Sequence, residues 1–514
     1  MVFKRIQNLF LNTDLLIWVG ILIVGISFRW FLVQGNNFLF NYDQARDAII
    51  SQEILTNLDI KVQGPSASGT GDAVYHGVLY YYLLGPLYLF FSGNPQPLTY
   101  IFGLLNLLTI VPIYLLATEQ TSSRKYGYLA ALMYAMSLEA AQFGTWLSNP
   151  SLAAITIPYF FFFLYRWYKN GHKSCFLLVM LFLGLSNQMV IYSVYLWVVL
   201  IASVAYRWII RKKSIQVMEF FVGMVVYMGT ITTMIVAQIK LWQAGLFNPF
   251  TIGGDIATKE DQLGVLHRIS DLYLDKIAYG LLPTWPLVGL VIVLLVAIIL
   301  VKKRSDLWIL GAWFFSPIIL LGVVSRSDYH GLVGILPALL VLLVVGISLI
   351  KNRLVRYVIV GLFLISNVHG LVKNRAYEGS RLAVQKDAYL KTQLKLVDYM
   401  YQTAEGEDFT LATFTVPYGQ YTTWAYLLNW YGYSNYGYLP TWTGDANMTV
   451  FGRDWMKTAN YSHTNHYALA EETPGMEPYF YDIFMRNQYR LMGDPHLEFD
   501  TKQYGALRVM RRLD

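Results

Sequence analysis

Residues 41–47 read Asn-Tyr-Asp-Gln-Ala-Arg-Asp and residues 76–83 read His-Gly-Val-Leu-Tyr-Tyr-Tyr-Leu, in a polar stretch after the first long apolar segment. The stretch places acids, an arginine and a histidine where the chain leaves a predicted first membrane span, followed by a tyrosine-rich apolar segment. This combination suits chemistry on a substrate with a hydrocarbon tail and a negatively charged head, because the tail can lie in lipid while the head lies at the interface.

The composition is that of a membrane protein. Hydrophobic residues make up 55% of the 514 residues and charged residues 14%, whereas ordinary globular domains carry about 25% charged residues. Cys175 is the only cysteine, which excludes an internal disulfide framework and a cysteine-based metal cluster. The net charge of +7 is explained by where the basic residues lie along the membrane topology, so we expect no nucleic-acid partner.

Eleven apolar segments have roughly the 20-residue length that a transmembrane helix needs. They lie near residues 15–33, 97–117, 127–146, 151–168, 174–187, 189–209, 217–239, 283–301, 307–324, 331–350 and 355–372. Only Gln188 separates the segments 174–187 and 189–209. We therefore expect a tilted or broken helix there, which a membrane protein tolerates only where the backbone is buried in protein or lines a cavity.

The apolar stretch 78–91 is too short to be assigned with confidence as a membrane span. The distribution of basic residues along the chain indicates whether it crosses the membrane. If it stays at the interface or re-enters, the basic clusters all fall on one side of the membrane, as expected for the cytoplasmic side. These clusters are Lys4/Arg5, Arg124/Lys125, Arg166/Lys169/Lys173, Arg207/Arg211/Lys212/Lys213, Lys302/Lys303/Arg304 and Lys351/Arg353/Arg356. The sequence predicts a multi-pass plasma-membrane protein with a cytoplasmic N-terminus.

Residues 373–514 differ in composition from the rest, with shorter apolar runs and frequent Tyr, Trp, Gly and Asn. They predict a small soluble α/β domain on the extracytoplasmic side. The predicted fold class is thus an α-helical polytopic membrane protein over residues 1–372, with about eleven transmembrane helices, plus this C-terminal domain. Within the first part, residues 34–96 form the predicted first extracytoplasmic loop, with juxtamembrane helices.

Asp43 is the strongest catalytic candidate, because it follows the first span at the depth where a phosphate-linked sugar would lie. Its carboxylate could accept the proton of an attacking hydroxyl, and partial burial would raise its pKa toward a useful range. Alternatively, Asp43 is a solvated loop carboxylate or a helix N-cap, and Asp47, one turn later, has the same role.

Arg46 and His76 are candidate phosphate contacts. A guanidinium group binds phosphate in a bidentate way, and positive charge eases the departure of a phosphate leaving group. Alternatively, Arg46 pairs with Asp43 or Asp47 at helical spacing, and His76 caps the following helix.

Further candidates lie near the predicted outer boundary. Arg326 and His330, in the turn 325–330, could hold a phosphate or anchor the interface. Tyr80 and Tyr81 are expected mainly in the interfacial belt, with a possible role in lining a sugar or prenyl groove. Arg29, near the outer end of the first span, is expected to snorkel to the interface.

The first loop resembles the C-type, multi-spanning glycosyltransferases that use polyprenyl-phosphate sugars, in the family 39 branch with protein O-mannosyltransferases and the lipid A aminoarabinose transferase. The resemblance lies in residues 42–48, 64–68 and 76–86. It implies that Asp43 takes the position of the catalytic acid and His76 that of a phosphate-contacting basic residue. The resemblance continues more weakly through about residue 370, and the C-terminal domain contributes little to it.

Two positions depart from the family pattern. Asn149-Pro150 stands where members often have an acid before proline, and Val78 replaces the usual proline after the histidine position. Asn149 puts a second-carboxylate or metal role in doubt. No cofactor is predicted, and a divalent metal is not favoured because Asp43 and Asp47 are the only obvious oxygen ligands.

Taken with the resemblance, the sequence predicts a membrane enzyme that moves a sugar from a polyprenyl-phosphate carrier to a hydroxyl of an acceptor protein, lipid or glycan, with inversion. Its expected partners are this donor, the acceptor and the lipid bilayer. Two alternatives stay open at this point: a flippase or transporter of lipid-linked sugars, and a non-catalytic membrane protein that binds glycans.

Overall fold

The computed structural model describes residues 13–67, 74–212, 215–245, 262–303, 307–321, 329–373, 382, 385, 387–443, 449–458, 465–471, 477–492 and 499–512. The chain forms two compact units. We call the first the helical unit, which comprises Met1–Leu32, Lys61–Tyr80 and Thr99–Arg375. The second is the sheet unit, which comprises Val33–Ile60, Tyr81–Leu98 and Ala376–Asp514.

The elements up to residue 373 are helical. In chain order they are α1 (Thr13–Val33), α2 (Tyr42–Thr56), α3 (Leu79–Phe90), α4 (Gln96–Asn106), α5 (Ile110–Thr121), α6 (Arg124–Ala135), α7 (Leu138–Thr145), α8 (Asn149–Asn170), α9 (Lys173–Met189), α10 (Leu196–Arg211), α11 (Val217–Gln243), α12 (Gln262–Leu281), α13 (Pro286–Lys303), α14 (Trp308–Phe315), α15 (Pro317–Leu321), α16 (Leu336–Leu349) and α17 (Arg353–Lys373). Short 3₁₀ turns occupy Leu107–Thr109, Ile191–Tyr195 and Tyr329–Leu332.

Five described helical segments are long and apolar enough to cross a bilayer, and a sixth results if α12 and α13, which meet at a bend of 99°, count as one span. The five are Asp14–Val33, Gln96–Thr121, Ile191–Ile210, Val217–Gln243 and Arg353–Lys373. All eleven predicted segments contain helix, although 97–117, 127–146 and 307–324 each include two α-helices. Large apolar side chains such as Leu16, Ile23 and Trp30 are exposed along α1, as expected of a lipid-facing surface. The polytopic helical fold is confirmed.

α3 is 12 residues long, about 18 Å at 1.5 Å per residue. A bilayer core is about 30 Å thick, so α3 alone is too short to span it, in agreement with the predicted non-crossing segment.

Arg29 lies inside the helical unit and does not snorkel, so that expectation was wrong. Its side chain is 2% exposed. It donates to Asn106 Oδ1 at 2.7 Å, to the Ala135 carbonyl at 3.0 Å and to the Gly25 carbonyl at 3.1 Å. The guanidinium group therefore joins α1 to α4 and to the end of α6.

Residues 262–281 form the helix α12. Asn367 of α17 fixes one end of this helix, because its Nδ2 donates to the Leu281 carbonyl at 2.9 Å. Its Oδ1 accepts from the Leu138 backbone N–H at 2.9 Å. One amide thus satisfies the first N–H of α7 and a terminal carbonyl of α12, groups that helix ends leave without intrahelical partners.

The sheet unit contains the elements after residue 373. They are α18 (Leu390–Thr403), β1 (Thr410–Phe414), α19 (Thr422–Leu427), a π turn (Leu428–Gly432), α20 (Tyr433–Tyr436), β2 (Thr441–Trp442), a 3₁₀ turn (Arg453–Trp455), β3 (Lys457–Thr458), β4 (His466–Glu471), α21 (Pro478–Met492), β5 (Phe499–Tyr504) and β6 (Leu507–Arg512). Helices and strands both occur after residue 373, so the α/β class predicted for this part is confirmed.

The strand order is β3-β2-β1-β4-β6-β5. β3, β2, β1 and β4 are parallel, whereas β6 pairs antiparallel with both β4 and β5. Every residue of β1 and of β4 is buried, as expected for parallel strands that are covered on both faces. On one face α21 packs Phe484 against Phe414 and Met510. On the other face the Tyr401 ring of α18 lies 5.1 Å from that of Phe409.

The segment that precedes α2 also belongs to the sheet unit. Phe40 N donates to the Ala388 carbonyl at 2.9 Å, and Leu390 N donates to the Phe38 carbonyl at 3.0 Å. Gln393 Nε2 donates to the Phe40 carbonyl at 2.7 Å. The start of the first loop is therefore hydrogen-bonded to residues about 350 positions later in the chain.

We expect Arg29→Met to lower the melting temperature of the detergent-solubilised protein by several degrees. The variant leaves buried acceptors without donors, which costs about 1–3 kcal/mol for each such group. Arg124→Gln is the matched control, because Arg124 is 61% exposed in its ion pair with Asp14 and surface pairs contribute about 0–1 kcal/mol. Equal melting temperatures for the two variants would contradict the structural role of Arg29.

Candidate active site

Asp43 lies in the first turn of α2. Asn41 is the N-cap, and its side-chain oxygen accepts from the Asp43 N–H at 3.1 Å. Gln44 completes a capping box, because its Oε1 accepts from the Asn41 N–H at 3.1 Å. Asp43 is therefore not itself the cap. The positive end of the helix dipole favours a carboxylate at this position.

Arg46 holds both acids of α2. Its Nη1 donates to Asp43 Oδ1 at 2.7 Å. Its Nε and Nη2 both donate to Asp47 Oδ1, at 2.9 and 2.7 Å. The ion pair that the sequence left as an alternative for Arg46 is therefore present, while its phosphate contact stays a prediction.

The two acids differ in exposure. The Asp43 side chain is 57% exposed and that of Asp47 only 2%. Burial raises the pKa of Asp47 to about 6, although Arg46 opposes the shift. The partial burial that the sequence led us to expect for Asp43 is thus found at Asp47, because Asp47 faces the interior one turn later. Asp43 stays open to solvent and to a substrate.

Tyr80 and Tyr81 are buried, with exposures of 0% and 2%, so neither is mainly an interfacial belt residue. Tyr80 belongs to the helical unit, where its ring lies edge-on to that of Phe102 at 6.1 Å. Tyr81 belongs to the sheet unit, where its hydroxyl lies close enough to Asp47 and Arg46 to influence the pKa of Asp47. The prediction that Tyr80 and Tyr81 lie mainly at the membrane interface was wrong because both rings pack inside the protein.

His76 lies in the helical unit and contacts the backbone at the interruption between α9 and α10. Its Nδ1 accepts from the Ile191 N–H at 3.0 Å. An acceptor at Nδ1 places the proton of the neutral imidazole on Nε2, where it can serve as a hydrogen-bond donor. Both the phosphate contact of His76 and the alternative that it caps α3 stay predictions.

The predicted helix interruption is present, and its freed backbone groups have partners. α9 ends at Met189, and a 3₁₀ turn begins at Ile191. Gly77 N donates to the Gln188 carbonyl at 2.8 Å, and Asn149 Nδ2 donates to the Met189 carbonyl at 2.5 Å. Together with His76, these contacts satisfy backbone that the break exposes in an apolar environment.

Asn149 is suited to this contact in a way that an acid is not, because an ionised carboxylate has no hydrogen to donate to the Met189 carbonyl. Gly77 is required by the close approach, since a Cβ there would lie 2.8 Å from Cα of Gln188. Gly64 is similarly constrained, because its Cβ would lie 2.3 Å from the Gly77 carbonyl oxygen. The family-like Gly-Pro and His-Gly motifs thus pack on each other.

An apolar cavity of about 550 Å³ adjoins the helix interruption within the helical unit. Ile191, whose N–H binds His76, is part of its wall. The lining residues are Val74, Asn187, Ile191, Val194, Tyr227, Ile231, Met234, Ile235, Gln238, Ile239 and Trp242. The expectation that the broken helix lines a cavity is confirmed.

The turn at residues 325–330 is described only in part. Arg326 lies outside the described residues, and the backbone of His330 is in the 3₁₀ turn Tyr329–Leu332. The roles of both residues therefore stay predictions.

The structure also reveals a buried ion pair that the sequence analysis missed. Lys276 Nζ binds Glu139 Oε1, and both side chains are 1% exposed. The ammonium group lies 4.7 Å from the centroid of the Tyr329 ring and 5.0 Å from that of Phe143, distances typical of cation–π contacts. The available signal was Glu139 itself, the single acid in the predicted span 127–146, because membrane-embedded charges usually have a partner.

Within the described ranges, no three His, Cys, Asp or Glu side chains form a group that could hold a metal ion. Asp43 and Asp47 are joined through Arg46, and a guanidinium between two carboxylates opposes a cation there. The absence of a resident metal remains an expectation.

Two solved structures are similar to this chain over most of its length. ArnT from Cupriavidus metallidurans, bound to undecaprenyl phosphate, has a TM-score of 0.58 and 12% sequence identity, covering 96% of this chain and 98% of its own. The oligosaccharyltransferase of Archaeoglobus fulgidus, in complex with Zn and sulfate, has a TM-score of 0.51 and 11% identity, covering 96% of this chain and 72% of its own. No family model and no curated protein matches the chain.

Both neighbours are membrane glycosyltransferases of the C type. At these identities the similarity establishes the fold, so this chain has the GT-C fold. The resemblance read from the first loop is therefore confirmed at the level of fold.

We expect the stability of the wild-type protein relative to Asp47→Asn to fall as pH rises from about 4 to about 6. The folded-state pKa of Asp47, about 6, lies above its ordinary value of 3.8. The unfolded chain thus releases this proton first, and a rise in pH through that window favours unfolding. Melting temperatures of both proteins at half-unit pH steps test this. Parallel pH profiles would show that Asp47 titrates normally in the fold.

Proposed function

We propose that this protein is a membrane glycosyltransferase that moves a sugar from a polyprenyl-phosphate carrier to an acceptor hydroxyl on the extracytoplasmic side. The observation that carries the proposal is the exposed Asp43 carboxylate, which accepts a hydrogen bond from Arg46, in a chain with the GT-C fold. Asn41 binds the backbone N–H of the same residue. ArnT, a neighbour of the same fold, was solved with undecaprenyl phosphate, which supports a polyprenyl-linked donor.

In this proposal Asp43 is the general base. The acceptor hydroxyl gives its proton to the Asp43 carboxylate while its oxygen forms a bond to the anomeric carbon of the sugar. The bond from that carbon to the phosphate oxygen breaks in the same step, and the polyprenyl phosphate leaves with its electron pair. A single displacement of this kind inverts the anomeric configuration.

Arg46 acts chiefly as a positioning residue for this base. It fixes Asp43 through Nη1 while Asp47, buried one turn later, fixes the Nε–Nη2 edge of the guanidinium. Because Asp47 is buried, the side chain that anchors Arg46 has little freedom to move, and this pre-orients Asp43. The base itself remains exposed and can be reached by an acceptor.

The apolar cavity of about 550 Å³ is the proposed site for part of the prenyl chain. His76 binds the N–H of Ile191 in the cavity wall. A neutral imidazole with its proton on Nε2 can donate a hydrogen bond to a phosphate oxygen without adding a buried charge. We propose that the tail occupies the cavity and that His76 binds the phosphate.

Asp43→Asn is expected to reduce glycosyl transfer about 10²–10⁴-fold, the usual contribution of a general base, with little change in melting temperature. Transfer is measured in proteoliposomes as release of undecaprenyl phosphate from a panel of undecaprenyl-phosphate sugars. Asp59→Asn is the control, because Asp59 is another exposed carboxylate of the same loop. Full activity of Asp43→Asn, beside an active wild type, would exclude Asp43 as the base.

Ile231→Trp should raise the KM for the lipid-linked donor about tenfold or more with a small effect on kcat, because the indole fills space that the tail requires. Ile231 lines the cavity on α11, whereas Met228 of the same helix is 47% exposed and does not line it. Met228→Trp is therefore the matched control. An unchanged donor KM in Ile231→Trp would argue against this cavity as the prenyl site.

A further inference from the structure

A second cavity, of about 380 Å³, lies within the sheet unit at the carboxyl ends of two parallel strands. Phe414 ends β1, and Glu471 ends β4. From β1 the chain proceeds to β2 on one side, and β4 lies on the other side. The strand order therefore reverses between β1 and β4, and open α/β sheets bind ligands at such a switch point.

The acidic wall of this cavity is fixed by three donors. Trp424 Nε1 donates to Glu471 Oε1, while Val416 N and Gln385 Nε2 donate to Oε2, each at 2.8 Å. An ionised carboxylate accepts about four hydrogen bonds, so Glu471 can accept one more. Burial raises the pKa of Glu471, and the three donated hydrogen bonds oppose that shift.

The basic wall is Arg508 of β6. Its guanidinium group donates to the Tyr481 hydroxyl and lies 5.3 Å from the centroid of the Tyr481 ring. Among the described residues, no carboxylate lies within salt-bridge distance of it. A guanidinium group that is oriented at a cavity wall and pairs with no described carboxylate is a suitable contact for an anionic group.

The remaining wall is aromatic and continues onto the surface. Phe414 and Tyr481 line the cavity. The Tyr418 ring lies 5.5 Å from that of Phe414 and 5.4 Å from that of Phe480, and both Tyr418 and Phe480 are exposed. The rings are inclined to one another, Phe414 and Tyr481 by 82°. Aromatic rings beside polar side chains suit a sugar, whose C–H face packs on an aromatic ring while its hydroxyls form hydrogen bonds.

The turn between β5 and β6 contacts Asp387. Asp387 Oδ2 accepts from Ala506 N at 3.0 Å, and Gly505 adopts a φ of +59°. A Cβ at Gly505 would lie 2.3 Å from Asp387 Oδ2. This contact fixes the turn that brings Gln503 and Ala506 to the cavity, so little ordering is left for a ligand to impose.

We propose that this cavity binds a small acidic saccharide, a sugar carrying a carboxylate or a phosphate, with its anionic group at Arg508 and its ring against Phe414 and Tyr481. The volume of about 380 Å³ lies near the lower end of the 300–1,000 Å³ that is typical of ligand pockets, which limits the bound portion to one or two sugar rings. Binding at this site does not require glycosyl transfer.

The test is ligand-detected NMR titration of the full-length protein in nanodiscs with glucuronic acid, galacturonic acid and glucose 1-phosphate. Glucose and inorganic phosphate are the comparison ligands. We expect at least one acidic sugar to bind about tenfold more tightly than either comparison ligand. Arg508→Gln should weaken that binding about tenfold or more, the effect expected for loss of one charge-assisted contact.

Arg511→Gln is the matched control. It removes the same charge from the same strand, but alternation along β6 places residue 511 on the opposite face of the sheet from residue 508. Arg508→Lys, which keeps the charge, should bind the acidic sugar with an affinity within a few-fold of that of wild type. It is the variant to measure if Arg508→Gln is unstable.

Three results would each overturn the proposal: no binding of any acidic sugar, equal weakening by Arg508→Gln and Arg511→Gln, or inorganic phosphate binding as tightly as the sugars. Asp43→Asn protein should bind the sugars as wild type does. Loss of transfer and loss of this binding are therefore separate outcomes.

Discussion

The helical unit depends on a broken helix whose exposed backbone must be satisfied without water. Between α9 and α10 the carbonyls of Gln188 and Met189 and the N–H of Ile191 find partners in Gly77, Asn149 and His76. An unsatisfied backbone group in an apolar environment costs several kcal/mol. The helix can therefore be interrupted here only because these contacts are made. The break in turn shapes the apolar cavity and sets the tautomer of His76.

A second constraint governs the acids of α2. Asp43 could be exposed and still ordered only because Arg46 is itself fixed by the buried Asp47. The segment that leads into this helix is held by α18 and the residues just before it, through the hydrogen bonds of Phe38 and Phe40 with Leu390, Ala388 and Gln393. The C-terminal segment, which carries little of the sequence resemblance, thus takes part in building the candidate active site.

The sequence predicted the fold class well because lipid imposes simple rules. Apolar length located the helices. The single residue between two apolar segments predicted a break at Gln188, and the structure has it next to that residue, between Met189 and Ile191. The same reasoning failed for Arg29, Tyr80 and Tyr81, which were assigned to the membrane interface and are buried. A propensity for the interface describes a residue type, whereas burial is decided by the helices that happen to pack around it.

By itself, then, the sequence determined a polytopic helical protein with a C-terminal α/β part. It singled out Asp43 and Arg46 by their position just after the first predicted span. The tertiary structure decided which of the two acids is exposed, that Lys276 pairs with Glu139, and that β1 and β4 lie side by side to form a cavity. Helical periodicity is local and can be read along the chain. Burial and pairing across more than a hundred residues are set only when distant segments pack, and neither follows from local spacing.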